Sequence, residues 1–239
     1  MPTPYNLDLQ NSCLICKWKE DVSFFCNLSP AAIAELNGIK STITYPRGAL
    51  LFVEGEEPRA VFILCNGRAK LMTTSAEGRT LIVKIAGPGE ILGASAAILG
   101  QPYELSAETL EPCQVNVING SAFVNWLRTR SEASVRAARQ LSAKHDAAQQ
   151  EIRSLGLTRS AAEKLARLLL DWCRHGEFTA GGIRIRVLLT HEEIGQMIGA
   201  TRETVTRLIG DLRRREIIET KGSTVIVRQK DALEKLVTL

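Results

Sequence analysis

The sequence has 239 residues, of which 45% are hydrophobic, 23% charged and 5% aromatic. This length is enough for one large or two modest domains, each with a real core. No run of 18 apolar residues occurs, and the N-terminus lacks the basic start and apolar stretch of a secretion signal. These features argue against a membrane-spanning or secreted protein, and we expect a cytoplasmic one.

The formal net charge of +4 is unevenly distributed along the chain. Residues 1–156 carry 15 lysines and arginines against 15 acidic residues, whereas residues 157–239 carry 15 against 11. The whole excess of positive charge therefore lies in the last third of the chain. This asymmetry predicts a neutral module followed by one that binds a polyanion.

Short apolar segments alternate with turn residues between residues 42 and 117. Four of these segments lie at residues 49–53, 61–65, 69–73 and 80–85. They are rich in β-branched and aliphatic residues and too short for helices, so they predict an antiparallel sandwich or barrel. A short helix should precede it, with Ser29 as N-cap and Pro30 as its first residue.

One long helix is predicted over residues 121–154, where turn residues are absent. Its apolar positions recur three and four residues apart, which is typical of a two-stranded coiled coil. This seam consists of Ala138, Leu141, His145, Ala148, Ile152 and Leu155. We favour a homodimer formed along the seam; the alternative is a helix packed on its own β domain. Residues 154–158, which include Gly156, should break the helix.

Residues 157–239 are predicted to form a winged helix-turn-helix. Thr190 and Glu193 have the spacing of a capping box for one short helix, Gly199 ends that helix, and Thr201 caps the next. The predicted fold class is α+β, with an antiparallel jelly-roll or β-roll, a long dimerisation helix and a winged helix-turn-helix. The chain divides into four parts: a cysteine-containing segment at residues 1–28, the β-roll at 29–120, the dimerisation helix with its hinge at 121–156 and the winged domain at 157–239.

The second of the two short helices carries polar residues outside its apolar stripe. Arg202, Glu203, Thr206 and Arg207 span an arc of about 140°, narrow enough to enter a DNA major groove. Arginine can donate two hydrogen bonds to guanine, and glutamate can accept one from cytosine. Further cations should bind phosphates, namely Arg213, Arg214, Arg215, Lys221 and Arg228. The alternative is a solvated helix with an ordinary pair between Glu203 and Arg207.

The segment LTHEEIGQMIGATRETVTR at residues 189–207 resembles the helix-turn-helix of the CRP/FNR superfamily of bacterial transcription regulators. The resemblance extends back through the β-roll to about Ser29 and includes the dimer helix. It implies that Arg202, Glu203 and Arg207 read a DNA half-site. Both arginines resemble those of the cyclic-AMP receptor subgroup, which implies palindromic double-stranded DNA with TGTGA-like half-sites. The resemblance also implies RNA polymerase as a partner.

The β-roll departs from the cyclic-AMP receptor subgroup at the positions that bind the nucleotide. Gly93 matches, but Ala94 stands where that subgroup has its ribose-binding glutamate. Leu105 stands where it has its phosphate-binding arginine, which leaves only Ser106. An apolar side chain cannot offset the desolvation of a buried phosphate. We therefore expect an effector other than cyclic AMP.

The six cysteines should not form a disulfide framework in a reducing compartment. Cys13 and Cys16 have chelating spacing, Cys26 follows them, and Cys113 lies far away in sequence. Four thiolates suit a [4Fe–4S] cluster or a structural zinc. The layout resembles the FNR subgroup, which has an N-terminal cysteine group and one β-roll cysteine at the position of Cys113. Thiol switching and simple burial of the thiols are the alternatives.

These observations predict a homodimeric transcription regulator that responds to oxygen or redox state through an iron–sulfur cluster or thiols. A second class is a regulator whose β-roll binds an unidentified small molecule, in which case serine at Cys13 and Cys16 should leave regulation intact. A third class is an enzyme. It finds no support, because His145, His175 and His191 lie in no recognisable nucleophile or metal-hydrolase motif.

Overall fold

A computed structural model describes Tyr5, Leu7, Cys13 and residues 25–157, 160–174 and 176–237. The chain forms two compact units, Met1–Gln149 and Gln150–Leu239. The division falls before the boundary that the sequence predicts after residue 156. Within the described ranges, no helix combines the length and the hydropathy needed to cross a bilayer.

The first unit begins with helix α1, Pro30–Ile39, which starts where the sequence predicts. The Ser29 hydroxyl oxygen accepts a backbone N–H of the first turn, which satisfies one of the donors left unpaired at a helix start. Pro30 occupies a position where its missing N–H costs no hydrogen bond. Ile33 and Leu36 are fully buried, so this face of α1 belongs to the core.

Two four-stranded antiparallel sheets form the predicted β-roll. Its strands are β1 (Lys40–Tyr45), β2 (Leu50–Phe52), β3 (Ala60–Asn66), β4 (Ala69–Thr74), β5 (Thr80–Ala86), β6 (Ile91–Leu92), β7 (Ser106–Thr109) and β8 (Cys113–Asn119). One sheet has the order β1-β8-β3-β6 and the other β2-β7-β4-β5. The register of β1 against β8 places Thr42 opposite Asn116 and Tyr45 opposite Cys113. This register determines which side chains of β1 and β8 are neighbours, and therefore which cysteines can come into contact.

A short helix that the sequence patterns did not predict, α2 (Ala94–Leu99), lies between β6 and β7. Glycines in the left-handed region cap both of its ends, Gly93 at φ +75° and Gly100 at φ +64°. The helix has only 6 residues, all small or aliphatic apart from one serine. Because the segment is so short and has no alternation of apolar and polar residues, its sequence shows no helical periodicity.

The prediction of a single helix over residues 121–154 is wrong at one point. Two helices occupy this part of the chain, α3 (Gly120–Thr129) and α4 (Ser131–Leu157). Arg130 between them has an extended backbone, and its Nε donates to a Glu35 carboxylate oxygen at 2.6 Å. Trp126 Nε1 donates to the same carboxylate at 3.2 Å. Since Glu35 lies on α1, a long-range contact sets this break.

Helix α4 is 27 residues long and continues through Gly156, beyond the predicted break. Ala133 and Ala137, one turn apart, are buried against the first unit. Of the predicted seam, Ala138 and His145 are exposed in the single chain and Leu141 is half-buried. The side chains of the other predicted seam residues lie outside the described ones, namely Ala148, Ile152 and Leu155. The assignment of the seam to a dimer interface stays a prediction.

The second unit has the architecture of the predicted winged helix-turn-helix. Its elements are α5 (Ala161–Cys173), β9 (Glu177–Thr179), β10 (Gly182–Arg186), α6 (His191–Ile198), α7 (Arg202–Arg214), β11 (Ile218–Lys221), β12 (Thr224–Val227) and α8 (Lys230–Val237). The strands form one antiparallel sheet in the order β11-β12-β10-β9. Leu165, Leu169, Val205 and Ile209 join helices of this unit in one core. Helices α6 and α7 are the helix pair, and β11 and β12 are the wing.

Candidate nucleic-acid interface and thiol site

Local interactions define the start of α6 and the tight turn between α6 and α7. The Thr190 hydroxyl accepts from the Glu193 backbone N–H, and the Glu193 carboxylate accepts in turn from the Thr190 backbone N–H, as the predicted capping box requires. Gly199 ends α6 at φ +66°, a conformation that suits glycine. A Cβ at Gly195 would lie 2.5 Å from the Ala200 carbonyl oxygen, so only glycine permits this close turn.

All four predicted base-reading residues are exposed on α7, namely Arg202, Glu203, Thr206 and Arg207. The opposite stripe of the helix is buried, and it consists of Val205, Ile209 and Leu212. The polar face is therefore not required for the core. It presents donors and acceptors along one side of a helix narrow enough for a major groove.

Glu203 lies in the first turn of α7. Its carboxylate accepts hydrogen bonds from its own backbone N–H and from the Thr201 side chain, and both hold the pKa of this carboxyl below its ordinary value. At neutral pH the carboxylate is therefore ionised and can only accept hydrogen bonds. The base-edge group that suits it in the major groove is an amino group such as that of cytosine.

His191 is a residue of this surface that the sequence patterns did not single out. Its Nδ1 lies 2.9 Å from Thr206 Oγ1, and Thr206 Oγ1 donates to the Arg202 carbonyl oxygen at 2.9 Å. Because the hydroxyl proton of Thr206 is already used, Nδ1 of His191 is the donor in this pair. His191 thereby fixes the side chain of Thr206 on the recognition face. Its place immediately after the N-cap of α6 is the only local signal of this role.

Lys221 of the wing and Arg228, which directly follows the wing, are exposed, but both are ion-paired with Glu219. Glu219 lies 3.0 Å from Lys221 Nζ and 2.5 Å from Arg228 Nη2. The Arg228 guanidinium, and then Lys221, hold the pKa of the Glu219 carboxyl below its ordinary value. The other predicted phosphate-binding residues, Arg213, Arg214 and Arg215, are exposed at the end of α7, where Arg214 binds Asp211. The position of Glu219 between two cations could not be read from sequence.

Replacing Glu219 by glutamine should strengthen binding to duplex DNA of any sequence by about two- to tenfold. The substitution removes one negative charge and releases Lys221 and Arg228 toward phosphates, which also steepens the salt dependence. Affinity for an unrelated duplex, titrated at several salt concentrations, measures this. The matched control is Glu177→Gln, which breaks a comparable 3.3 Å pair with Arg184 at the other edge of the sheet. Equal affinities for both variants would contradict the role given to Glu219.

The interior of the β-roll beside Gly93 is occupied by Tyr103, whose side chain is 5% exposed. The Tyr103 hydroxyl donates to the Ala60 carbonyl oxygen at 2.6 Å, and its ring lies close enough to Gly93 that a Cβ there would be 2.8 Å away. Ser106 Oγ accepts from a backbone N–H at 2.9 Å. Both side chains are thus engaged within the protein. The expectation of an effector other than cyclic AMP stays a prediction.

Cys13 and Cys26 lie together in the core of the first unit, next to polar groups of β1 and β8. Cys26 donates a hydrogen bond to the Cys13 sulfur, and Asn116 Nδ2 lies 3.5 Å from the same atom. The hydrogen bond from Cys26 is the largest cause of a lowered pKa at Cys13, about 6 instead of 9.0, with smaller contributions from Lys40 and Asn116 that burial opposes. The structure therefore stabilises a thiolate at Cys13.

Cys113 lies elsewhere, although it is also on β8. Asn116 lies three positions further along the strand, an odd number, so the two side chains project from opposite faces of β8. Cys113 Sγ donates to the carbonyl oxygens of Glu111 at 3.1 Å and Arg68 at 3.4 Å, inside the β-roll. Burial is the main cause that raises the pKa of this thiol to about 12. Without a metal ion, this thiol is therefore neutral, and its hydrogen bonds hold it inside the β-roll.

The predicted four-cysteine metal site does not fit this arrangement. The structure brings Cys13 and Cys26 together but places Cys113 on the other side of β8, and Cys16 lies outside the described residues. Among the residues that the structure describes, no group of three or more histidine, cysteine or acidic side chains could hold a metal ion.

The ultraviolet absorbance of thiolate should reveal one titration step centred on about pH 6 in the folded protein. Because the pKa of Cys13 is lowered, its thiolate is present above that pH and is lost as the pH falls through it. Cys13→Ser should remove the step. Cys113→Ser is the control and should leave it unchanged, since the pKa of Cys113 is about 12. A step that survives in Cys13→Ser would refute the assignment.

Two protein-family models match the chain. The Crp-like helix-turn-helix domain matches residues 163–236, and the cyclic nucleotide-binding domain matches residues 42–130. The chain belongs to the CRP/FNR superfamily. It is therefore a DNA-binding transcription regulator and not an enzyme, and CRP-family regulators bind DNA as dimers.

Relatives of this CRP/FNR regulator include proteins named for different roles. A CRP-like cAMP-activated global transcriptional regulator of Mycobacterium tuberculosis is 28% identical over 211 residues, which cover 88% of this chain and 94% of the relative. The anaerobic regulatory protein of Bacillus subtilis is 26% identical over 196 residues, 82% of each chain. A solved CRP-family transcriptional regulator from Thermus thermophilus is 26% identical, with a TM-score of 0.70 over 82% of this chain and 97% of its own.

Proposed function

We propose that this CRP/FNR regulator binds, as a homodimer, a palindromic duplex with TGTGA-like half-sites and acts there on RNA polymerase. The observation that carries the proposal is the exposed face of α7, where Arg202, Glu203 and Arg207 stand clear of the buried stripe. Arginine forks suit guanine edges and the ionised glutamate suits cytosine. Exposed cations at the end of α7 and in the wing supply affinity that is independent of sequence.

The homodimer is proposed along α4. In the single chain Ala138 and His145 are exposed and Leu141 is half-buried, and Val135, one turn earlier, is 50% exposed. Ala138, Leu141 and His145 follow the alternating three- and four-residue spacing of a two-stranded seam, and Val135 lies beside it. A partner copy would cover them, and a two-fold dimer would present two recognition helices to two half-sites.

The proposed effector is the redox state, sensed through the N-terminal thiols. Support comes from the stabilised thiolate of Cys13 beside Cys26. A [4Fe–4S] cluster or a zinc ion on all four predicted cysteines stays a prediction that the described positions do not favour, because Cys113 faces the other side of β8.

Selection of bound duplexes from a randomised pool tests the proposal, with the stoichiometry taken from sedimentation of the selected complex. We expect a two-fold symmetric site, TGTGA-like half-sites and two chains per duplex. Asymmetric sites, or one chain per duplex, would contradict it.

Affinity for the selected site is then compared in reduced and oxidised protein. No difference would remove the redox effector and favour the alternative of a small molecule bound in the β-roll.

A further inference from the structure

The side chain of Asn116 fixes the chemical character of the Cys13 site. Asn116 is 1% exposed, and its Oδ1 accepts from Lys40 Nζ at 3.1 Å and from Thr42 Oγ1 at 2.8 Å. With the amide oxygen occupied by two donors, the amide NH2 group must point the other way, toward Cys13 Sγ at 3.5 Å. The sulfur therefore receives an N–H donor from a rigid, buried group.

Cys26 completes this environment. Its thiol donates to Cys13, and the positive charge of Lys40, which binds the Asn116 amide oxygen, also favours a negative charge on the Cys13 sulfur. Cys13 and Cys26 are 5% and 8% exposed, so these interactions operate away from bulk solvent. A sulfur that receives an amide N–H donor and a thiol proton, with a lysine ammonium nearby, is better suited to a negative charge than to a neutral state. A thiolate with a second thiol beside it is the arrangement of an attacking and a resolving cysteine.

The segment of residues 25–29, which contains Cys26, also forms hydrogen bonds with the start of α4. Asn27 Oδ1 accepts from Arg136 Nη2 at 2.6 Å, and the Ser29 backbone N–H donates to Glu132 Oε1 at 2.7 Å. Both partners, Arg136 and Glu132, lie on α4. The residues on each side of Cys26 along the chain are therefore tied to this helix or to its neighbours.

Phe25 adds an apolar contact to this attachment. Its ring lies 6.0 Å from that of Phe123 and 6.2 Å from that of Trp126, both on α3. Its backbone N–H donates to the Gly89 carbonyl oxygen, which also accepts from Gln140 Nε2 of α4 at 3.0 Å. A displacement of Cys26 is consequently transmitted to both helices through groups in direct contact.

We propose that Cys13 and Cys26 are a dithiol that peroxides oxidise to a disulfide, and that this bond shifts the 25–29 segment and loosens its hold on the start of α4. The proposal rests on the redox response proposed above and names its chemistry. It assigns the sensing to two cysteines and gives Cys113 no part in it.

The reaction balances with hydrogen peroxide as the oxidant, a small neutral molecule suited to a buried sulfur. The Cys13 sulfur attacks one peroxide oxygen, the O–O bond breaks, and hydroxide leaves with the electron pair and takes up a proton to become water. The sulfur of Cys26 then attacks the sulfenic sulfur of Cys13, forming the S–S bond and breaking the S–O bond. A second water leaves, so two thiols lose two electrons and one peroxide becomes two waters.

The first experiment treats the full chain, purified without oxygen and freed of metal by a chelator, with one equivalent of hydrogen peroxide. Peptide mapping without reductant should find Cys13 linked to Cys26. Cys26→Ser should stop at a sulfenic acid on Cys13 that dimedone traps, and Lys40→Met should slow the reaction about tenfold. Cys16→Ser is the matched control from the same part of the chain and should leave the link unchanged.

Two chemical results would overturn the dithiol. One is a peptide map after peroxide treatment that links Cys16 to either cysteine or leaves Cys13 unmodified. The other is an iron–sulfur cluster, reconstituted without oxygen, whose visible absorbance is lost in Cys113→Ser, because Cys113 would then have left its place in the β-roll.

The second experiment measures amide hydrogen exchange over residues 131–143 before and after oxidation. We expect exchange there to speed up about tenfold in the parent and to stay constant in Cys13→Ser treated in the same way. A disulfide that leaves this exchange unchanged would refute the coupling to α4. Operator binding by the reduced protein is assayed separately, so failure of the proposed regulator function is distinguishable from failure of the dithiol.

Discussion

Replacing Arg202 by alanine is expected to weaken binding to each half-site by about 1–3 kcal/mol, or roughly 5- to 150-fold, because a bidentate pair of hydrogen bonds to guanine is removed. Arg202 is the first residue of α7 and is exposed, so its truncation leaves the core intact. The weakening should be specific for one base pair. On operators in which that guanine is replaced, the variant and the parent should bind equally well in titrations at fixed salt.

Lys221→Ala is the matched control, since it removes a cation at the wing from the same unit. It should weaken binding to every sequence alike and lower the slope of log affinity against log salt by about 0.9 for each phosphate that is no longer neutralised. Its effect will be moderated because Lys221 is already paired with Glu219. If Arg202→Ala and Lys221→Ala show the same dependence on sequence, the base-reading face has been placed wrongly.

Phe25→Ala should lower the free energy of unfolding of the first unit by about 3–5 kcal/mol. The Phe25 side chain is fully buried and packs against two aromatic rings of α3, so its removal leaves a cavity that these rings cannot easily fill. Denaturant unfolding, followed by a probe in the first unit, measures the change. The variant should also raise hydrogen exchange at the start of α4 without any oxidant.

Phe178→Ala is the control for that substitution. Phe178 is 83% exposed on the edge strand β9, so the same chemical change should alter the free energy of unfolding by less than about 0.5 kcal/mol. A small effect at Phe25 as well would mean that the segment before α1 is not part of the core of the first unit.

Features set by neighbouring residues could be predicted from the sequence. Ser29 with Pro30, and Thr190 with Glu193, start helices through contacts within one turn, and the structure confirms both. The exposed face of α7 follows from the spacing of its apolar residues alone. For the same reason the four strand predictions in the β-roll are confirmed, since alternation and turn residues are local signals.

Features set by long-range contacts could not be predicted from the sequence. Arg130 breaks the predicted helix because it binds Glu35, 95 residues away. The grouping of Cys13 with Asn116 spans 103 residues and depends on the β1 and β8 register. Cys113 was grouped with the N-terminal cysteines by resemblance, but a side chain three residues from Asn116 on one strand points away from them. Sequence spacing reports none of these distances.

The ion pairs of Glu219 have a consequence for how the regulator searches a genome. With Lys221 and Arg228 partly neutralised, the wing releases fewer counterions on random DNA, and binding there is correspondingly weaker. The same phosphate contacts form at an operator, so Glu219 lowers the affinity for operators and for random sites by the same factor and leaves their ratio unchanged. One acidic residue in the wing thus shortens the residence time on all DNA without altering which sequence is preferred.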